Sequence, residues 1–99
     1  MSFLYLPPCL STQITATAQI HTKAAELWGF HGENTDAANP TAVTVRNGSA
    51  DTSTVLWTFN IPKGAVYDWR FPQLLYFSSA LRFVVSGGTC YIDVLWRKF

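Results

Sequence analysis

Short segments in which apolar and polar residues alternate are the feature that most constrains the fold of this chain. Between Thr12 and Ile20, the apolar residues at positions 14, 16, 18 and 20 alternate with polar residues at 13, 15, 17 and 19. Successive side chains of a strand point to opposite faces, so this period of two predicts a half-buried strand with one wet face. The alternation recurs in segments 54–61, 65–71, 81–86 and 89–97, and segment 41–46 is rich in β-branched residues, which favour strands.

Turn-forming residues separate these segments. HGENTDAANP, after Phe30, is typical of a loop, and Asn47-Gly48 and Pro62-Lys63-Gly64 favour turns. Segment 23–30 fits a short helix or a strand, and its strand-like surroundings favour the strand. Pro72 predicts a break or an edge position. Seven or eight short strands without a long helix predict an all-β chain, a single antiparallel β-sandwich of jelly-roll-like type.

The C-terminal sequence LRFVVSGGTCYIDVLWRKF predicts a β-hairpin that turns at Gly87-Gly88. A two-residue turn would place Arg82 opposite Asp93, as an ion pair across the two strands. One side of this hairpin would belong to the core, with Leu81, Phe83, Val85, Cys90, Ile92, Val94 and Trp96. The other side mixes apolar and charged residues, including Tyr91 and Leu95, which is typical of a subunit interface.

The composition points to a partner that covers part of the surface. The chain has 99 residues, one domain's worth, and only 13% of them are charged, against about 25% in typical globular domains. Either a partner covers apolar or uncharged surface, or the free surface is polar but uncharged, made of threonine, serine, asparagine and glutamine. The net charge of +1, without a basic stripe, argues against nucleic-acid binding.

The first ten residues, MSFLYLPPCL, are apolar but too short to span a bilayer, and they lack the basic start of a signal peptide. We therefore expect no membrane segment, and divide the chain into an extended arm, 1–10, and a sandwich domain, 11–99. The arm is either a frayed terminus or a segment laid on a neighbouring subunit. Its apolar residues favour contact with a neighbour, and they are Phe3, Leu4, Tyr5 and Leu6.

Reactive residues are few and scattered. Cys9 and Cys90 have no metal-binding or redox spacing, and the phase of Cys90 predicts a buried free thiol. His21 and His31 stand far along the chain from any cluster of cysteines or acids, so we expect no metal site and no cofactor. No nucleophile motif or phosphate loop is present, which argues against an enzyme. Four tryptophans and four tyrosines leave carbohydrate binding open, although their phase assigns most of them to packing.

The second half of the chain, FNIPKGAVYDWRFPQLLYFSSALRFVVSGGTCYIDVLW, resembles small virion proteins of tailed phages of the capsid decoration, or cement, type. The resemblance rests on the Ile-Pro-x-Gly turn at 61–64, the aromatic strand at 67–71, the stretch 77–81 and the Gly-containing segment 84–96. It covers about the last forty residues well and the first half loosely. Ala80 departs from the pattern, where such sequences often have glycine.

The resemblance implies a non-enzymatic subunit on the capsid surface of a virion. It would bind the major capsid protein and copies of itself, with a trimer favoured over a dimer. The alternatives are a carbohydrate-binding module or a fibre or neck component. From exposed apolarity we expect the contacts to come from the arm and from the mixed side of the last strand, at Phe3, Leu4, Tyr5, Leu6, Tyr91, Leu95, Arg97 and Phe99.

Overall fold

The computed structural model describes residues 10–98, which form eight strands. They are β1 (Leu10–Ile14), β2 (Ala18–His21), β3 (Ala25–Asn34), β4 (Thr41–Asn47), β5 (Thr54–Ile61), β6 (Val66–Phe77), β7 (Leu81–Ser86) and β8 (Cys90–Lys98). Across these residues, no helix is long and apolar enough to cross a membrane. The all-β prediction is confirmed.

The strands build two four-stranded antiparallel sheets. The first sheet has the order β1-β8-β3-β6, and the second sheet has the order β2-β7-β4-β5. Four of the pairings, β1–β8, β2–β7, β3–β6 and β4–β5, are those of a long hairpin folded once at its middle. Rolling that hairpin up adds the pairs β3–β8 and β4–β7. This arrangement is a jelly roll, and it confirms the predicted antiparallel sandwich.

The core lies between the sheets, and alternate residues of the central strands supply it. Phe30 is fully buried on β3 and stacks on Phe59 of β5, with 4.2 Å between ring centroids. Phe83 meets Phe30 edge-on from β7. Strand β8 contributes its buried set, Cys90, Ile92, Val94 and Trp96, as the alternation predicted. Burial of a large apolar side chain contributes about 1.5–3 kcal/mol, so this layer supplies most of the driving force for folding.

The predicted C-terminal hairpin is wrong. Strand β7 lies in the second sheet and β8 in the first. The two strands therefore face each other across the core instead of sharing hydrogen bonds. Arg82 is therefore not opposite Asp93. Its guanidinium group binds Asp51, with Nε and Nη2 at 2.8 and 2.5 Å from Oδ1, whereas Asp93 accepts a hydrogen bond from Gln13.

Gly87 and Gly88 make the crossover between the sheets. Both have positive φ, at 77° and 66°, which also suits a tight hairpin turn, so the local signal could not distinguish the two outcomes. The Thr41 hydroxyl donates to the Gly87 carbonyl at 3.0 Å and anchors the crossover to β4. Both strands already have a hydrogen-bonded neighbour on each side. Strand β7 lies between β2 and β4, and strand β8 lies between β1 and β3. Pairing over long sequence separations thus overrides the local turn.

Three smaller expectations also need correction, and one at Pro72 is confirmed. The segment 12–20 bends at residues 15–17 and crosses from the first sheet to the second. The predicted loop after Phe30 begins only after Asn34, because β3 continues through it. An extra residue in β5, at Leu56, turns Val55 outward, where 40% of it is exposed. Strand β6 runs past Pro72 as an edge strand with a bulge, one of the two outcomes that the proline allowed.

Candidate interaction face on the first sheet

Three of the predicted contact residues lie together on the outer face of the first sheet. Tyr91, Leu95 and Arg97 alternate along β8 with its buried residues, and all three are half-buried by neighbours on that face. Phe99 and the arm residues, Phe3, Leu4, Tyr5 and Leu6, lie outside the described residues. The structure therefore places part of the predicted set on one surface, although the hairpin argument that selected it was wrong.

A row of polar side chains in cross-strand register runs across this face, one residue from each strand. Gln13 of β1 pairs with Asp93 of β8, Asp93 with His31 of β3, and His31 with Asp68 of β6. Gln13 Nε2 donates to Asp93 Oδ1 at 3.0 Å. The strand register aligns these four residues, which we call the polar row, although up to 80 positions separate them in the chain. Cross-strand neighbours of this kind are close enough to interact directly.

His31 lies between two carboxylates. Its Nδ1 is 2.9 Å from Asp68 Oδ1, and its Nε2 is 3.2 Å from Glu33 Oε2. Only a protonated imidazole can donate from both nitrogens. The hydrogen bond to Asp68, reinforced by the one to Glu33, accordingly raises the pKa of His31 above its ordinary value. This part of the face therefore gains positive charge as the pH falls.

Tyr91 extends the network to the neighbouring cross-strand pair, Glu33–Tyr91. Its hydroxyl donates to Glu33, which also accepts from His31. The Tyr91 hydrogen bond is the main cause that lowers the pKa of Glu33, and His31 adds to it. The same bond raises the pKa of Tyr91. Tyr91 is thus held in one orientation, with its ring centroid 6.3 Å from that of His31.

The other half of the face is less polar. Leu95 is half-buried in register with Gly29, and Trp28 occupies a bulge in β3 between the pairs Leu27–Trp96 and Gly29–Leu95. Trp28 is half-buried, and its indole N–H is buried without an acceptor among the described residues. Beyond it, Arg97 forms an ion pair with Glu26.

Gly29 is buried on this face, where Trp69 and Arg70 of β6 approach it closely. A Cβ atom at this position would lie 2.3 Å from the Trp69 carbonyl oxygen and 2.8 Å from Arg70 Cδ. Strand β6 therefore approaches β3 too closely for any side chain at residue 29. Asp68, Trp69 and Arg70 line a shallow depression at this side of the sheet.

The chemical groups of this network are one imidazole, two carboxylates and one phenol. The cysteine of β8, Cys90, is a buried free thiol on the opposite, core side of the strand. Within residues 10–98, no group of histidine, cysteine and acidic residues is arranged to hold a metal ion. What the network can do is hold charges in fixed positions on an open strand surface.

Sequence reasoning missed the surroundings of His31. The histidine appeared isolated because Asp68 is 37 positions away, and only the β3–β6 register brings the two together. The spacing of His31 and Glu33, two residues apart on one strand face, was the one signal that local reasoning could have used.

The tryptophans of β5 and β6 pack inward, as their phase predicted. Trp57 and Trp69 contact each other, with ring centroids 5.7 Å apart, and both pack against the core. Phe71 meets Trp57 edge-on at 5.1 Å. These rings close the sandwich between the end strands of the two sheets.

No known protein-family model matches the chain. No curated protein matches it in sequence either.

Proposed function

We propose that this chain is a non-enzymatic structural subunit that works through protein contacts on the outer face of the first sheet. The finer proposal, carried by the resemblance of its second half to tailed-phage decoration proteins, is a virion protein that binds the major capsid protein. Jelly rolls occur in viral capsid proteins but also in lectins, so the fold alone does not decide between these functions.

One observation carries the proposal: the outer face combines a less polar centre with charged groups held in pairs around it. Leu95 lies at the centre, next to the β3 bulge at Trp28, Glu26–Arg97 flanks it on one side, and the polar row flanks it on the other. Protein interfaces are enriched in aromatic residues and arginine at the centre and have a polar rim. Fixed ion pairs on the rim also favour specificity, because their side chains need little further ordering on binding.

The low charge of the chain supports the same proposal. Only 13% of its residues are charged, and among the described residues two arginines form ion pairs with acids, Arg82 with Asp51 and Arg97 with Glu26. A subunit enclosed by neighbours needs less surface charge than a free monomer needs for solubility. A capsid lattice would present many copies, so weak individual contacts would still give stable attachment.

The test is co-sedimentation of the purified chain with capsids assembled from the major capsid protein encoded in the same genome. We expect the wild-type chain to sediment with the capsids and Leu95→Lys to bind at least about tenfold more weakly, because the lysine would bury a charge at the centre of the contact.

Val84→Lys is the matched control. Val84 is also half-buried and outward-facing on a central strand, but it lies on the second sheet. It should bind like the wild type if both variants melt at similar temperatures. Equal binding by Leu95→Lys and the wild type, or no sedimentation of the wild type, would overturn the proposal.

A further inference from the structure

The described part of the chain has four end strands, and they differ in how well they resist pairing with another chain. They are β1 and β6 in the first sheet and β2 and β5 in the second. An end strand presents free backbone N–H and C=O groups, and natural proteins protect it by shortness, charge, proline or bulges.

Three of these strands carry such protection. Within residues 10–98, strands β1 and β2 have five and four residues, and β2 is also bulged. Strand β6 is long, but it contains Asp68, Arg70 and Pro72 and a wide irregularity in its register with β3. A proline lacks the N–H group that a further strand would need, and the irregularity breaks the row of free groups.

Strand β5 lacks most of this protection. Its eight residues, TVLWTFNI, include no charge and no proline, and its single bulge at Leu56 leaves residues 57–61 regular. Val55 is 40% exposed, and Thr58 and Asn60 are exposed on the outer face of the second sheet. Apart from its ladder with β4, the hydrogen bonds described for β5 use one backbone group, the Ile61 carbonyl, which accepts from Asn34 Nδ2 at 3.0 Å.

We propose that the free edge of β5 pairs with β5 of a second copy, joining two second sheets into one eight-stranded antiparallel sheet. This inference rests on the proposed function as an assembly subunit and assigns the surface for self-association. A strand that pairs antiparallel with its own copy creates a two-fold axis, so the predicted unit is a dimer instead of the trimer favoured by the resemblance.

A second copy fits this edge for electrostatic and geometric reasons. The strand has no charge and the whole chain has a net charge of only +1, so two copies meet without appreciable repulsion. Strand addition draws its affinity from main-chain hydrogen bonds, which identical antiparallel strands supply to each other. Thr58 lies near the middle of the strand, so the two copies of Thr58 would lie on the same sheet face, within reach of each other across the axis.

Sedimentation velocity across a concentration range, up to roughly 100 µM, tests the inference with a charge-exchange design. We expect a wild-type dimer, and at least about tenfold weaker dimerisation for Thr58→Lys and for Thr58→Glu, because like charges would face each other across the axis. An equimolar mixture of the two variants should recover the dimer. Ala42→Lys is the matched control, because it places the same charge on the same sheet face but on the inner strand β4, and it should dimerise normally.

Three results would overturn the inference: a monomeric wild type, dimerisation that Thr58→Lys does not weaken, or a mixture of the Lys and Glu variants that does not recover the dimer. If removal of residues 1–8 abolishes self-association while Thr58→Lys does not, the N-terminal segment mediates self-association and the β5 pairing is wrong. Leu95→Lys separates the two proposals: it should lose capsid binding and remain dimeric, so self-association and capsid binding can fail independently.

Discussion

At the scale of single residues, Asn34 shows how much one buried side chain can hold together. It is 1% exposed at the end of β3, and its Nδ2 donates to the Asn39 and Ile61 carbonyls at 2.9 and 3.0 Å. Its Oδ1 accepts from the Asp36 N–H at 2.9 Å. One amide thus joins β3, the following loop and the end of β5, which positions the crossover glycines beside them.

Asn34→Asp should destabilise the fold by about 3 kcal/mol, because it replaces two donated hydrogen bonds with a buried carboxylate facing two carbonyl oxygens. Urea denaturation measures the loss in free energy of unfolding. The control is Asn60→Asp, the same change at an exposed position, which we expect to cost less than about 0.5 kcal/mol. Similar losses in the two variants would contradict the role assigned to Asn34.

Gly29→Ala should also be costly, since the new Cβ would lie 2.3 Å from the Trp69 carbonyl oxygen. We expect about 1–3 kcal/mol of destabilisation from the forced separation of β3 and β6. Gly64→Ala is an informative comparison: Gly64 has open space around it but a φ of 68°, so it should lose only about 1 kcal/mol. Thermal unfolding that shows Gly29→Ala to be the milder change would refute the close approach.

The His31 network predicts a pH dependence of stability. The pKa of His31 is raised on folding, so its contribution is complete below about pH 6 and disappears as the pH rises through the folded-state value. The pKa of Glu33 is lowered, so its contribution is present above about pH 4.5 and disappears as the pH falls further. The charged pair therefore acts most strongly at about pH 5–6.

Melting temperatures of the wild type and His31→Gln should accordingly differ most near pH 5–6 and least near pH 9. Asp68→Asn should reproduce part of the effect, because the Asp68 hydrogen bond is the largest cause of the raised pKa of His31. A difference between wild type and His31→Gln that stays constant from pH 5 to pH 9 would show that the imidazole does not titrate against these carboxylates.

At the scale of elements, the separation of β7 from β8 is the main result. Thr44 of β4 faces Val84 of β7 across the second sheet, whereas the predicted hairpin would put Val84 opposite Tyr91. Engineered cysteine pairs distinguish the two arrangements in a background without the native cysteines. Thr44→Cys with Val84→Cys should form a disulfide on mild oxidation, because opposed strand positions lie within disulfide range. Val84→Cys with Tyr91→Cys should stay reduced, and the reverse result would restore the hairpin.

The sequence predicted the elements better than their partners. Alternation identified the strands and their core faces correctly on β8, because burial of one face imposes a period of two. It failed at Val55, where one extra residue reverses the faces, since a bulge leaves no mark in an apolar run such as VLW. It failed at the hairpin because positive-φ glycines serve both a tight turn and a crossover, and pairing between distant strands decides the outcome.

At the scale of the whole molecule, the two sheets present different outer surfaces. The first sheet carries the polar row and the less polar centre around Leu95. The second sheet combines small uncharged residues such as Ala42, Thr44 and Thr58 with two arginines, Arg46 and Arg82, the latter paired with Asp51. The face of β8 that holds Tyr91, Leu95 and Arg97 could be predicted from alternation alone. The polar row could not, because it requires the order of all four strands.

Cryo-electron microscopy of virus particles produced from the genome that encodes this chain tests the central proposal most directly. The measurement is which surface of the sandwich contacts the capsid shell. We predict that the outer face of the first sheet, with His31, Tyr91 and Leu95, lies against the major capsid protein. Particles without the chain, or a bound chain whose first sheet faces solvent while another surface contacts the shell, would contradict the account.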